Sequence, residues 1–540
     1  MFPRSPRRAR RAATVLFAFA AGFAGVLGSY LAVGLRPTFV ASPVSSALVR
    51  VMPDAVVRFA IVTLTDFGRS LGIDHLGATA NLLLAVLLAA AALGGLGVAG
   101  LLLGGRRSRP LAGVVVGSLL VAVSALLVTG SAASAVGAGA AAGALLVTGV
   151  ALLGSTAEGG TPAASATGVS DGRRRTLGAL ATAFVGTVAG VSLFGRGDGA
   201  GAGAAAGGSE SGDGNDALPI DTGTTSRLLD EAESRAFDVG GLEGLVSGDD
   251  FYTVDINNAD PDVAAADWSL SVTGAVANAY ELSYDDLLDR ETVHEFVTLR
   301  CVSDRLNGRK MDTDLWSGVS AEALLDEADP QGEYVVLRAA DGYYEEFPLS
   351  AFEGGLLAFA KGGETLPRKH GYPLRALVLG HWGEVNVKWL TEIEIHEEPV
   401  TGFWEKKGWH GTGPVETVAK LHGVERGEGT MTVAGHAYAG TRGIERVEVS
   451  TDGGDSWSEA TLSERLPAGT GRSPEAKHAA DAWRQWRYEY EKPDDTHEVV
   501  VRAVDGEGDR QPKGDGEAPD GDRKPFPSGA TGWVSKTLEP

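Results

Sequence analysis

The sequence predicts a chain of three parts: a multi-span transmembrane α-helical region, an α+β domain, and a C-terminal immunoglobulin-like β-sandwich. Three textures predict it. Up to about residue 195 the chain holds apolar runs, each near the roughly 20 residues that a membrane-spanning helix needs. From about 245, strand-like runs alternate with acidic helical stretches. From about 428, period-two alternation stands alone, broken by Asp-Gly-Gly turns. The expected boundaries are 1–195 for the spans, 196–244 for a flexible linker, 245–400 for the α+β domain, 401–427 for a connecting segment and 428–540 for the sandwich.

The apolar runs sit at about 13–35, 80–104, 111–130, 134–154 and 177–195, and are rich in the Ala, Gly, Leu and Val of closely packed membrane helices. Basic clusters flank them: Arg7, Arg8, Arg10 and Arg11; Arg106, Arg107 and Arg109; Arg173, Arg174 and Arg175. Five alternating spans put all three clusters on one side, the cytoplasmic one by the positive-inside rule, so that residues after 196 face outward. The loop 36–79 carries Arg36, Arg50, Arg58 and Arg69 beside Asp54, Asp66 and Asp74, and is expected to hold an amphipathic helix on the membrane surface. Arg174-Arg175, followed by Leu177 and the fifth run, admits two readings: a twin-arginine export signal or a plain basic anchor. The spans hold no histidine, which argues against a haem held there by two histidines. Their near lack of ionisable residues speaks against a transporter. Residues 196–216, rich in Gly, Ala and Ser, read as a tether.

Charge is divided unevenly. Residues 1–199 hold 16 Lys and Arg against 6 Asp and Glu, and the remainder 31 against 64. The acidic part has no basic patch for nucleic acid. Its diffuse acidity reads as the hydrated surface of a halophile, haloarchaeal-like in its density. The single cysteine, Cys301, excludes an intramolecular disulfide, a cysteine-ligated iron–sulfur cluster and a C-x-x-C-H haem site.

Within the α+β domain, WSLSVTG, FVTLRCV, YVVLRAA, LRALVLG and WLTEIEIH read as strands, and SAEALLDEA at 320–328 as a helix. In the sandwich the strands are TMTVAGHAYAG, IERVEVSTDGG, QWRYEYE and HEVVVRAVD, with an acidic Gly/Pro-rich loop at 508–528.

Cys301 lies in HEFVTLRCVSDRLNG, residues 294–308. Alone it has two readings, a small buried hydrophobe or a thiolate for a thiophilic metal. The patterns around it bear on the choice. LRCVSDRLNG, then LPRKHGYPLRALVLG at 366–380, then NVKWLTEIEI at 386–395, then a sandwich with DAWRQWRYE resemble, in order and spacing, the sulfite oxidase family of molybdopterin enzymes over about residues 245–540. The resemblance implies a molybdenum-molybdopterin cofactor. It implies that Cys301 ligates the metal, that His370, Arg375 and Lys388 hold the pterin phosphate, that Asn386 and Val387 give backbone contacts, and that Asp341 bonds the pterin ring. Arg300 and Arg305 are expected to favour the thiolate.

The chain also departs from the family pattern. In the stretch from Trp404 to Trp409, tryptophan stands where sulfite oxidases place an active-site tyrosine, so Trp409 is expected to meet substrate through its indole N–H. Val254, Asp255 and Ile256 replace an Arg-Asn-His run, and Asp304 replaces an asparagine. Arg305, Lys406 and Lys407 are then the cations left for an anionic substrate. The implied function is a membrane-anchored, outward-facing oxidoreductase that moves an oxygen atom to or from a small oxyanion, S-oxide or N-oxide. It implies a separate electron-transfer protein and a homodimer through the C-terminal domain, with no haem. The competing reading is a cell-surface binding protein on a retired enzyme scaffold; the joint presence of Cys301, His370, Arg375 and Lys388 speaks against it.

Overall fold

The computed structural model describes residues 6–53, 56, 59, 76–105, 110–155, 218–256, 259–407, 409, 413–471, 476–514 and 532–540. The fifth apolar run, Arg174-Arg175, the tether and most of the 508–528 loop lie outside them. The described residues fall into two compact units. One holds the N-terminal helices, and the other holds the described residues within 208–254 and 263–540.

In the first unit the helices are α1 (Pro6–Val33), α2 (Ser42–Val51), α3 (Leu76–Gly105), α4 (Pro110–Thr129) and α5 (Ala132–Ser155). Among the described residues, three stretches are long and apolar enough to cross a membrane: Thr79–Leu103, Leu111–Thr129 and Ala132–Val150. In α1 the apolar part, Phe19–Val33, is shorter. Leu83, Leu87, Val115, Leu119 and Leu127 are exposed, giving the unit an apolar exterior suited to lipid. Small residues let the helices touch backbone to backbone: a Cβ added to Gly28 would lie 2.2 Å from the Gly137 carbonyl oxygen. Helix α2 occupies part of the 36–79 loop and is tied to α3 by Asn81, whose Nδ2 donates to Ser45 Oγ at 2.8 Å.

In the second unit, α6 (Thr222–Arg235) corrects the expected linker. Asp221 caps it, accepting from the backbone N–H groups of Gly223 and Thr224. Its Leu228 and Ala232 are fully buried in a cluster with Tyr438 and Trp483, so this stretch packs.

The α+β domain has two five-stranded sheets. One runs in the order β2 (Tyr280–Ser283), β1 (Ser269–Gly274), β10 (Leu390–His396), β5 (Tyr334–Ala339), β6 (Tyr344–Pro348), with β1 and β10 parallel. The other runs β3 (Val293–Arg300), β4 (Met311–Ser320), β7 (Leu356–Lys361), β8 (Glu364–Thr365), with β9 (Arg375–Leu377) also on β7. The short helix α7 (Tyr284–Leu288) starts at a capping box of Ser283 and Asp286. Helix α8 (Ala321–Ala328) buries Leu324, Leu325 and Ala328 and leaves Glu322 outward. Strand β4 was not among the expected elements. Its Asp312 and Asp314 are both buried: Lys361 Nζ meets Asp314 Oδ2 at 2.5 Å, and Asp312 accepts from Ser247 Oγ and Tyr252 N.

The C-terminal domain is a sandwich. One sheet orders β11 (Val418–Ala419), β13 (Thr430–Tyr438), β17 (Arg484–Glu491) and β16 (Thr461–Leu462), with β12 (Gly423–Arg426) on β13. The other orders β15 (Ser458–Glu459), β14 (Ile444–Ser450), β18 (His497–Asp505) and β19 (Val534–Leu538). Met431, Val433, Trp486, Val447, Val499 and Val501 from both sheets share one core. The two tryptophans of A-W-x-x-W differ: Trp483 lies outside this core and its backbone N donates to Thr298 Oγ1 on β3 at 2.9 Å, whereas Trp486 lies within it and its Nε1 donates to the Lys420 carbonyl at 3.0 Å.

Candidate functional site

Cys301 opens the connection between β3 and β4, whose register pairs Arg300 with Met311. Cys301 N donates to Lys310 O at 3.0 Å, and Asp304 N donates to Cys301 O at 2.9 Å. The Asp304 carboxylate fills the turn, with Oδ1 accepting from Lys310 N at 3.0 Å and Oδ2 accepting from Lys420 Nζ and, at 3.4 Å, Arg300 Nε. Gly308 has to be glycine, since a Cβ there would sit 2.4 Å from Asp304 Oδ1. Cys301 Sγ lies 3.2 Å from Ser303 Oγ, and Lys310 Nζ donates to that same hydroxyl at 3.2 Å.

The charges near this turn differ from the expectation. Arg300 is fully buried, lies 4.6 Å above the Trp382 ring, and bonds to Asp304 and to the Glu416 carbonyl. Arg305 is exposed on the outside of the turn. The third cation is Lys420, 1 % exposed, its pKa pushed down to about 8 by burial against the pull of Asp304.

The second segment runs from Leu366 to Leu390. His370 and Arg375 are both buried, and Arg375 Nη1 donates to the His370 carbonyl at 3.2 Å. The Arg375 guanidinium stands 5.5 Å from the Trp316 ring, and the His370 ring meets Phe251 edge-on at 5.6 Å. Among the described residues, neither ring nitrogen of His370 has a hydrogen-bond partner, nor does Arg375 Nε. Burial, then the Arg375 charge, holds the His370 pKa down to about 2, so the ring is neutral. Burial also lowers Arg375 to about 10 and Lys388 to about 7. Lys388 donates to the Lys369 carbonyl at 3.1 Å and lies 4.4 Å from the Trp389 ring. The structure thus brings together the three residues expected to hold the phosphate on one short segment.

Asn386 and Val387 make bonds within their own loop. Asn386 Oδ1 accepts from Val378 N at 2.8 Å and its Nδ2 donates to Trp382 O at 3.1 Å, while Val387 O accepts from Ala376 N at 2.8 Å. Both brace the loop that presents Lys388. Asp341, half-buried at the β5–β6 turn, accepts from Tyr343 N at 2.9 Å, and the neighbouring Ala340 N bonds to Trp389 O. Trp409 is half-buried and stacks face to face on Trp404 at 4.4 Å. Trp404 N is held by Glu345, whose pKa burial and then Glu405 push well above the usual carboxylate range.

Tyr252 was not foreseen. Its N–H donates to Asp312 Oδ2 at 2.7 Å and its ring stacks on Phe251. A Cβ built on Gly383 would lie 3.1 Å from the Tyr252 hydroxyl and 3.5 Å from the Cys301 Cα, so the phenol stands beside the cysteine turn. Burial raises its pKa well above 10, with the Cys301 charge next in size. The Phe251-Tyr252 pair was the available signal, masked by the mismatched residues after it.

These donors fit a phosphate-bearing ring system. Among the described residues, His370 and Arg375 hold three buried nitrogens without hydrogen-bond partners, and an anion whose ring carries both donors and acceptors can satisfy them. The lone thiolate donor at Cys301 suits a soft metal, whose remaining ligands come from elsewhere than this chain's cysteines.

Residues 257–404 match the oxidoreductase molybdopterin binding domain, and residues 414–517 the Mo-co oxidoreductase dimerisation domain. The uncharacterized oxidoreductase YuiH of Bacillus subtilis is 33% identical over 150 residues, covering 27% of this chain and 74% of that protein. Mitochondrial sulfite oxidase of Macaca fascicularis is 28% identical over 312 residues, 48% of this chain. The chain spans 55% of that relative's length. Among solved structures, the sulfane dehydrogenase SoxCD from Paracoccus pantotrophus aligns with a TM-score of 0.45 at 21% identity, over 52% of this chain and 80% of that one.

Proposed function

Because the chain belongs to the sulfite oxidase family of molybdopterin-dependent oxidoreductases, we propose that it is a membrane-anchored member working on a small oxyanion, S-oxide or N-oxide at an outward-facing site. The observation that carries the site assignment is the set of buried nitrogens on His370 and Arg375 that, among the described residues, have no hydrogen-bond partner, on the same segment as Lys388. When bound, the molybdenum cofactor supplies two-electron oxygen-atom exchange with the substrate.

The chain's own residues bind and orient. Cys301 ligates the metal from the rigid β3–β4 turn. Arg375 and Lys388 set positive charge against the phosphate, and neutral His370 offers one donor and one acceptor. Burial lowers the Lys388 pKa, and a docked anion favours its charged form. Asp341 and the Asn386–Val387 loop fix the rim. Trp409 and Arg305 stand on the substrate side, with Arg305 in solvent and able to steer an anion. A sulfite-like anion oxidised by the enzyme is the reading favoured by family membership, and the missing tyrosine leaves S-oxide and N-oxide reduction beside it. The three apolar helices support a membrane anchor, which keeps a separate electron-transfer protein at high local concentration. The dimerisation-domain match supports a homodimer.

The test is the molybdenum and pterin content of the native protein beside Cys301→Ser. The expected result is about one molybdenum per chain in the wild type, and pterin retained with altered metal redox behaviour in the variant. Protein from a cofactor-competent host with neither metal nor pterin would sink the reading in favour of a retired scaffold.

A further inference from the structure

The cysteine turn is finished by a stretch of chain more than a hundred residues downstream. Lys420 Nζ donates both to Asp304 Oδ2 and, at 2.8 Å, to the Gly308 carbonyl. Next to it, Leu421 N donates to Asn307 Oδ1 at 2.8 Å while Asn307 Nδ2 donates to Leu421 O at 2.9 Å. Two consecutive residues of the segment entering the sandwich therefore grip three positions of the turn, 304, 307 and 308. Their own backbone is locked into the sandwich: Lys420 N donates to His436 O at 2.8 Å, and Trp486 Nε1 donates to Lys420 O. Gly435 packs so closely beneath that an added Cβ would strike the Lys420 carbonyl oxygen at 1.7 Å. Lys420 is thus a fixed strut with one end in the sandwich core and the other on the metal-side turn.

A simpler role, charge balance alone, does not account for this arrangement. Arg300 already faces Asp304, and with Lys420 the group of three holds two cations for one carboxylate. An additional buried cation is unfavourable unless its hydrogen bonds repay the desolvation, and here they run to a backbone carbonyl as well as to the carboxylate.

The geometry points to Lys420 as a positioning residue for Cys301, holding the turn in the one arrangement that presents the thiol to the metal. This rests on the reading of Cys301 as the metal ligand, and the test separates the two.

Full-length protein is made in a host that lacks molybdopterin synthesis, and alkylation of its thiol by iodoacetamide is timed. With one cysteine in the chain, every adduct reports Cys301. Lys420→Met, in which Arg300 still pairs with Asp304, is expected to label on the order of tenfold faster than wild type through local opening of the turn. Lys420→Arg is expected to restore a rate within about twofold, because a guanidinium can reach both acceptors. Asn307→Ala removes the other half of the grip at an exposed position and is expected to raise the rate in the same direction, which keeps the test alive should Lys420→Met fail to fold. Val499→Ala, in the sandwich core, serves as a control of lowered stability and is expected to leave labelling unchanged. In protein from a cofactor-competent host, the paramagnetic resonance signature of the molybdenum is expected to shift in Lys420→Met and not in Val499→Ala. Wild-type labelling rates in folded Lys420→Met and Asn307→Ala, or an equal rise in Val499→Ala, would overturn the proposal. A wild type without molybdenum would instead overturn the functional reading, while the labelling series still judges the strut.

Discussion

The cysteine turn and the His370–Lys388 segment treat buried polar groups in opposite ways. In the turn, Asp304 is met by Lys310 N, Lys420 and Arg300, and the Gly308 carbonyl by Lys420. In the segment, both His370 ring nitrogens and Arg375 Nε are buried without partners among the described residues. The contrast teaches that the cysteine turn is satisfied by the protein's own groups, whereas the His370–Lys388 segment keeps buried polar atoms open to something that has to arrive. Unmatched buried donors lower the stability of the empty protein by about 1–3 kcal/mol each, and a ligand that fills them recovers that energy as affinity.

The largest effect should come from the self-sufficient side. Asp304→Ala strands Arg300 and Lys420 in the interior, and we expect a loss of about 3–5 kcal/mol in denaturant unfolding, with or without cofactor. A loss seen only in loaded protein would break the comparison. Arg375→Met should do the reverse: cofactor content falls on the order of tenfold or more, while the empty protein keeps its stability within about 1 kcal/mol. Equal destabilisation of both forms would show that Arg375 is structural.

A third, smaller effect concerns the seam between the two domains. Asp481, fully buried, accepts from Tyr438 Oη at 2.7 Å and Gly380 N at 2.9 Å, and burial raises its pKa to about 7. The folded state therefore binds a proton between pH 3.8 and 7 that the unfolded chain has released. This contribution is complete below the unfolded value and is lost as pH rises through about 7. Asp481→Asn should flatten the fall in stability over that window, measured as Tm against pH; an unchanged slope would assign the proton elsewhere. The smallest effect belongs to exposed Arg305. Its change to Ala should leave Tm within the effect of about 0.5 kcal/mol, and raise KM for an anionic substrate more at low salt than at high salt.

The strands that alternate or run apolar were legible, among them β1, β3, β5, β9, β10, β13, β14, β17 and β18. Strand β4 was not, because its buried Asp312 and Asp314 are paid in contacts with Ser247, Tyr252 and Lys361 that no local pattern records. Helix α6 was hidden in a polar stretch whose cap, Asp221, becomes meaningful only once Leu228 and Ala232 find a core. His370, Arg375 and Lys388 were picked out together because they fall in two adjoining motifs, LPRKHGYPLRALVLG and NVKWLTEIEI. Lys420 and Tyr252 were not, since each reaches the turn from far along the chain: Lys420 from beyond the catalytic segment and Tyr252 from before it.

The position of Lys420, Trp483 and Trp486 also orders the life history of the chain. Ribosomes complete the phosphate-side residues by 388, yet the partners that brace the Cys301 turn have still to be made. A nascent chain halted between those points holds the His370–Lys388 segment but not the residues that brace the Cys301 turn. The cysteine turn is thereby completed only with the sandwich, and a product truncated before it lacks every contact that Lys420 and Leu421 make to positions 304, 307 and 308.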